Sequence, residues 1–167
     1  MLKTERMCLR NLCPEDGESM YVYRNDVRCN RYQRYEDTSR EYLRAFAERY
    51  AGSTFLSREE EQHYAIVCRE TGEMMGDVSI FYTEQDACFT LGITIAPAFQ
   101  KQGYAYELLK EVTARLRGAY PSLDIVALIE RENVASIALA RKLNFVEECY
   151  AESIGSYVFV MYGESEK

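Results

Sequence analysis

The chain has 167 residues, 47% of them hydrophobic, and a formal net charge of −7. That length fits one domain with its own core, and the acidic balance argues against general nucleic-acid binding, since phosphates repel an anionic surface. No window of about eighteen consecutive apolar residues predicts a membrane span, and the opening Met1-Leu2-Lys3-Thr4-Glu5-Arg6 lacks the apolar stretch of a secretory signal, which points to the cytoplasm. Six Cys are scattered at 8, 13, 29, 68, 88 and 149 with no Cys-x-x-Cys pair, and there is one His. The expectation is reduced, mostly buried thiols and no metal.

In chain order, Met7 to Leu12 alternates as a first strand. Pro14-Glu15-Asp16 opens a helix, with proline near its first turn and acids at its positive end. From Met20 to Tyr35, Tyr21, Tyr23, Tyr32 and Tyr35 interleave with Arg24, Arg28, Arg31 and Arg34. Base stacking with phosphate pairing is one use of such a set. The acidic chain favours another: a solvated helix–loop face whose rings cover the core and whose cations pair with nearby acids. Thr38 caps a second helix, with Glu41 completing a capping box, and Gly52 follows its end at Tyr50.

Residues 53–62 read as a polar loop. His63 to Arg69, Met74 to Tyr82 and Ala87 to Ile95 read as three strands separated by the turns Thr71-Gly72-Glu73 and Thr83 to Asp86. Ala105, Leu108, Leu109, Val112 and Leu116 fall on one helical face, and Gly118 and Pro121 stop that helix. Leu123 to Ile129 is an apolar run broken by one Asp, as in a strand buried on both faces. Asn133 to Lys142 is a helix with Asn133 at its cap. Phe145 to Ala151 and Tyr157 to Tyr162 form a hairpin through Gly155-Ser156, the last strand offering an edge to a partner. The tail, 163–167, is expected to fray. This order predicts an α/β or mixed α+β fold, a central sheet of six to seven strands with helices on both faces.

The stretch between the third of those strands and the long helix carries the most information. It reads Gln100-Lys101-Gln102-Gly103-Tyr104-Ala105-Tyr106, and no Ser, Thr, Asp or Asn stands at the helix start. The first N–H groups therefore lack a side-chain partner and suit an anion such as phosphate. Gly103 allows close backbone approach, Ala105 leaves the first turn uncrowded, and Lys101 is the only charge in 97–106.

Gln100-x-x-Gly103-x-Ala105 in this setting resembles the acetyl-CoA signature of the GNAT N-acetyltransferases, Arg/Gln-x-x-Gly-x-Gly/Ala. Leu91-Gly92-Ile93-Thr94-Ile95-Ala96-Pro97 resembles that family's fourth strand. Glu132-Asn133-Val134-Ala135-Ser136, running to Arg141-Lys142-Leu143-Asn144-Phe145, resembles its Glu-Asn-x-x-Ser helix and the following turn. Leu9 to Asp16 and Tyr23-Arg24-Asn25-Asp26 resemble the branch containing ribosomal-protein N-terminal acetyltransferases. The match runs from about Leu9 to Tyr162 of a single domain, 1–167.

The resemblance implies a fourth and fifth strand that are parallel and splay into a V-shaped slot. Acetyl-CoA is the implied cosubstrate, contacted by Ile93, Thr94 and Ile95 through a bulge that frees their peptide groups, by Gln100 to Tyr106 around the pyrophosphate, and by Asn133. The N–H of Ile93 would face the thioester oxygen. Many relatives carry a Tyr that protonates the departing thiolate; Ala140 aligns there, and Ser136 becomes the candidate acid. Glu84, Asp86, Glu130 and His63 are candidate general bases by type, and spacing does not single one out. The expected activity is transfer of acetyl to a primary amine, on a protein N-terminus or a small molecule, by a monomer or homodimer. The vacant Tyr position leaves open a non-catalytic acyl-CoA sensor.

Overall fold

The computed structural model describes residues 1–164. The chain runs β1 (Met7–Asn11), α1 (Asp16–Arg24), α2 (Val27–Asn30), α3 (Arg40–Arg49), β2 (Gln62–Cys68), β3 (Met74–Thr83) and β4 (Cys88–Ile95). It continues through α4 (Tyr104–Ala119), β5 (Asp124–Glu130), α5 (Val134–Lys142), β6 (Val146–Ala151) and β7 (Ser156–Met161). The strands form one seven-stranded sheet in the order β1-β2-β3-β4-β5-β7-β6. Every pairing is antiparallel except β4 with β5.

Period-two alternation sends neighbouring residues to opposite faces, and β2 divides accordingly. Tyr64 and Ile66 join one core with Leu108, Val112 and Leu116 of α4 and Phe159 of β7. Ala65 and Val67 join the other with Met20 and Tyr23 of α1 and Leu43 and Ala47 of α3. The helices therefore cover both faces.

Several local expectations are corrected. Ser39 caps α3, accepting from the Tyr42 N–H at 3.3 Å, while the Thr38 hydroxyl turns to Asn25 at 2.9 Å. Helix α4 runs through Gly118 to Ala119, since apolar packing at Val112 and Leu116 outweighs one glycine. Strand β7 lies inside the sheet between β5 and β6, so the edge belongs to β6. Gly163 and Glu164 are tied down: their N–H groups donate to Asp124 at 2.6 Å and to the Pro121 carbonyl at 2.8 Å. The rest of the expected tail, 165–167, lies outside the described residues. Of the cysteines, all unpaired, only Cys29 and Cys88 are buried and Cys149 is exposed.

Candidate active site

Strands β4 and β5 pair only at Cys88–Thr90 with Asp124–Val126 and then part. Beyond that point each has an open edge facing a gap. This corrects the expectation that β5 is buried on both faces. Leu128 is 48% exposed because it lines the gap. The apolar run faces the gap as well as the core.

The anticipated bulge in β4 is also absent. Its ladder with β3 holds one register from Cys88↔Thr83 to Ile95↔Gly76. The peptide groups are freed by a simpler route. The Ala96 N–H donates to the Met75 carbonyl. By antiparallel alternation, Thr94 and Gly92 also face β3, and Ile93 and Ile95 turn their N–H and C=O groups into the gap. Side chains from that side reach them: Gln33 Nε2 lies 3.5 Å from the Ile93 carbonyl, and Gln100 Nε2 donates to the Ile95 carbonyl at 2.9 Å. Thr94 thus offers a side chain, already 3.1 Å from the Tyr35 hydroxyl, in place of its backbone.

Gly103 is the N-cap of α4, with φ +83° and no side-chain cap bond. A left-handed residue there is what glycine supplies without strain. The first N–H groups of α4 remain open beside the slot. Arg6, unsuspected from sequence, stands over this end. It donates to the Gln102 carbonyl at 3.1 Å, stacks 4.1 Å from the Tyr104 ring centre, and pairs with Glu107 at 2.6 Å. Burial works against the Glu107 charge, but bonds from Thr4 and Arg6 offset it and hold its pKa below the usual range. The one acid in the first turn is thereby neutralised. No periodicity or motif marks Arg6, because only the tertiary fold brings it to residue 103.

A cavity of about 400 Å³ joins these parts. Ile93, Thr94, Ile95, Gln100, Lys101, Gly103, Tyr104, Ala105, Tyr106, Asn133 and Ser136 all line it. Gln102 does not; it is exposed, and its amide donates to the Ala98 carbonyl. Asn133 caps α5, accepting from the Ser136 N–H at 3.2 Å. The Ser136 hydroxyl faces the slot without a protein partner among the described residues, and Ala140 lies deeper, against the apolar wall. Cys29 is pushed up to about 11 by burial first and by Asp26 next, so its thiol stays protonated.

On the other side of β4 a second cavity, about 360 Å³, meets the first at Gln33, Ile93 and Thr94. Its floor is a buried cluster. Asp77 accepts from Tyr23 at 2.5 Å and pairs with Arg24 at 3.0 Å. Burial opposes the Arg24 charge, and Asp77 together with the Tyr23 and Tyr35 hydroxyls more than restores it. Burial, then Asp77, holds the Tyr23 hydroxyl well above its ordinary range, so it stays a donor. Its wall holds His63, bonded to Glu61 at 2.9 Å and packed against Phe46 and Tyr50. Of the other candidate bases, Glu130 pairs with Arg34 at 3.6 Å. Glu84 and Asp86 sit in the β3–β4 turn, about 17 Å down the strand from Ile93. In the Tyr/Arg segment Arg28 pairs with Asp26, Arg34 pairs with Glu130, Arg24 lies inside the protein instead of on a solvated face, and Arg31 stands over the Tyr32 ring.

A seven-stranded mixed sheet parted at its parallel pair, with an uncapped glycine-led helix at the opening, defines an acyltransferase architecture. The family model for the acetyltransferase (GNAT) domain matches residues 6–146, and the chain belongs to that family. Solved structures of the same fold include the GNAT-family acetyltransferase from Bacillus anthracis, 18% identical over 96% of this chain and 97% of that one, with a TM-score of 0.78. A ribosomal alpha-N-protein acetyltransferase in complex with coenzyme A is 20% identical over 96% of both chains, with a TM-score of 0.75. A spermidine/spermine N-acetyltransferase from Vibrio cholerae is 19% identical over 94% of this chain and 92% of that one, with a TM-score of 0.69. Among curated proteins no significant sequence match is found.

Proposed function

We propose that this chain is a single-domain, cytoplasmic N-acetyltransferase that moves acetyl from acetyl-CoA to a primary amine in a ternary complex. The observation that carries the reading is the meeting of two cavities at Ile93, one walled by the signature residues and one reaching the opposite face of β4. Acetyl-CoA occupies the first, with its pyrophosphate against the open N–H groups of α4 and the Lys101 and Arg6 charges, and its pantetheine along the free edge at Ile93 and Ile95. The amine enters by the second. The Ile93 N–H points toward the gap where the thioester oxygen gains charge. The neighbours of this fold act on a protein N-terminus in one case and on polyamines in another, which supports an amine acceptor without choosing between them.

Coenzyme binding tests the slot. Gly103→Glu puts a carboxylate at the phosphate position and forces a side chain onto φ +83°. A Cβ there has room, 3.5 Å from the Arg6 guanidinium, so the cost to the fold is confined to backbone strain at φ +83° while Arg6 gains a competing partner. Calorimetry should find acetyl-CoA affinity weakened by about tenfold or more. Unchanged affinity in the folded variant rejects this placement. The alternative, a sensor that binds acyl-CoA without turnover, rests on Ala140 and predicts binding with no thiol release.

A further inference from the structure

We propose that Gln33 is the hydrogen-bond acceptor for the attacking amine nitrogen, an inference that rests on the acetyl-transfer reading above. Gln33 and Ile93 are the two residues common to the slot, its apolar extension and the acceptor cavity. Three other polar groups beside the junction are occupied, while the Ser136 hydroxyl, the candidate donor to sulfur, is left free. The Thr94 hydroxyl meets Tyr35, the Asn133 side-chain oxygen accepts from Ser136 N–H, and Gln100 donates to the Ile95 carbonyl. The Gln33 amide nitrogen makes one long contact, 3.5 Å, to the Ile93 carbonyl. Its Oε1 has no protein partner among the described residues.

The segment carrying Gln33 is held on both sides. Its own N–H donates to the Asn30 carbonyl at 3.1 Å. Arg34 donates to the Ile154 carbonyl in the β6–β7 turn and pairs with Glu130, so the segment spans the mouth of the gap. The Tyr35 hydroxyl is fixed to Thr94. A side chain between such anchors is placed by the fold, as a group that must hold a reacting atom needs to be.

The chemistry fits a neutral acceptor. The amine lone pair attacks the thioester carbon, a C–N bond forms, and the carbonyl pair moves to oxygen. The nitrogen becomes cationic, and its N–H groups become stronger donors as it does. The nitrogen then loses a proton to solvent or a base, the oxyanion pair returns to re-form the carbonyl as the C–S bond breaks with its pair going to sulfur, and the thiolate is protonated. A carboxylate beside the nitrogen would also favour the charged, unreactive ammonium of the free amine. A carboxamide oxygen accepts the N–H and strengthens its bond as charge develops, without holding the amine protonated beforehand.

The test is Gln33→Met, which keeps length and removes the polar atoms. Wild type and variant are compared with the best amine and its N-methyl analogue, alongside acetyl-CoA affinity by calorimetry and thermal melting. The expected result is a loss of about ten- to a hundredfold in kcat/KM for the primary amine, with coenzyme affinity and Tm held. The loss should be smaller for the N-methyl acceptor, which has one N–H fewer to give. Equal kinetics in the variant overturns the proposal, as does a loss matched by falling coenzyme affinity or Tm, or one identical for both acceptors. If wild type releases no thiol with any amine while binding acetyl-CoA, the transfer reading itself fails and this inference with it.

Discussion

Under the proposed transfer, Ser136 is the candidate donor to the departing sulfur. It lies in the first turn of α5, and its backbone N–H is engaged by Asn133 while its hydroxyl is left to the slot. A hydroxyl that donates to sulfur matters most when sulfur carries charge, so its removal should act on kcat and spare coenzyme affinity. Ser136→Ala is expected to lower kcat by about ten- to a thousandfold, within or below the span of a positioned acid, because coenzyme A thiolate is already a fair leaving group. Steady-state kinetics with the best acceptor decides; wild-type kcat in the variant ends the assignment. Ala140 gives no alternative, since it is buried and carries no donor.

Among the elements, the β1–α1 corner holds the helix layer that forms one side of the second cavity. Arg10 of β1 reaches Asp16 of α1 with both terminal guanidinium nitrogens, at 2.6 and 2.7 Å, and the Cys13 N–H adds a third bond at 2.9 Å. Burial of Asp16 works against its charge, and the bonds from Arg10 and Cys13 more than offset it, so its pKa lies below the ordinary carboxylate range. A carboxylate with a depressed folded pKa contributes stability that is present above its unfolded pKa, about 3.9, and is lost as pH falls through the folded value. Asp16→Asn should therefore destabilise by about 1–2 kcal/mol at pH 7, discounted for the partial exposure of Arg10. The difference from wild type should shrink below about pH 4. Denaturant titrations at pH 7 and pH 3 check this; equal losses at both would mean the charge is not the cause. At the far side of the sheet, β6 presents Glu147 and Glu148 and a register break between Glu147 and Cys149, devices that discourage strand-to-strand association.

At the scale of the molecule, the sequence revealed what periodicity and turn chemistry encode. The seven strands, the long helix after the signature, and Asn133 at the cap of α5 follow from alternation, helical spacing and capping preference, and each stands where expected to within a residue or two. What stayed hidden depends on contacts across the fold. Arg6 reaches residue 103 only because the N-terminal segment packs beside α4. Gln33 reads as an ordinary loop residue until the segment around it is seen to span the gap. The order of the last two strands, which places β7 inside the sheet, is a choice of pairing partner that alternation does not encode. The parting of β4 and β5 came from family resemblance, and its cause, free edges without a bulge, emerged from the register.

The central claim is acetyl transfer from acetyl-CoA to an amine through the joined cavities. It is tested most directly by thiol release from acetyl-CoA across a panel of peptides, polyamines, amino acids and aminoglycosides, with mass spectrometry of the acceptor. The account predicts amine-dependent release of free coenzyme A and an acceptor heavier by one acetyl group. Tight binding of acetyl-CoA with no release above the amine-free rate for any acceptor would contradict it and leave the sensor as the better reading.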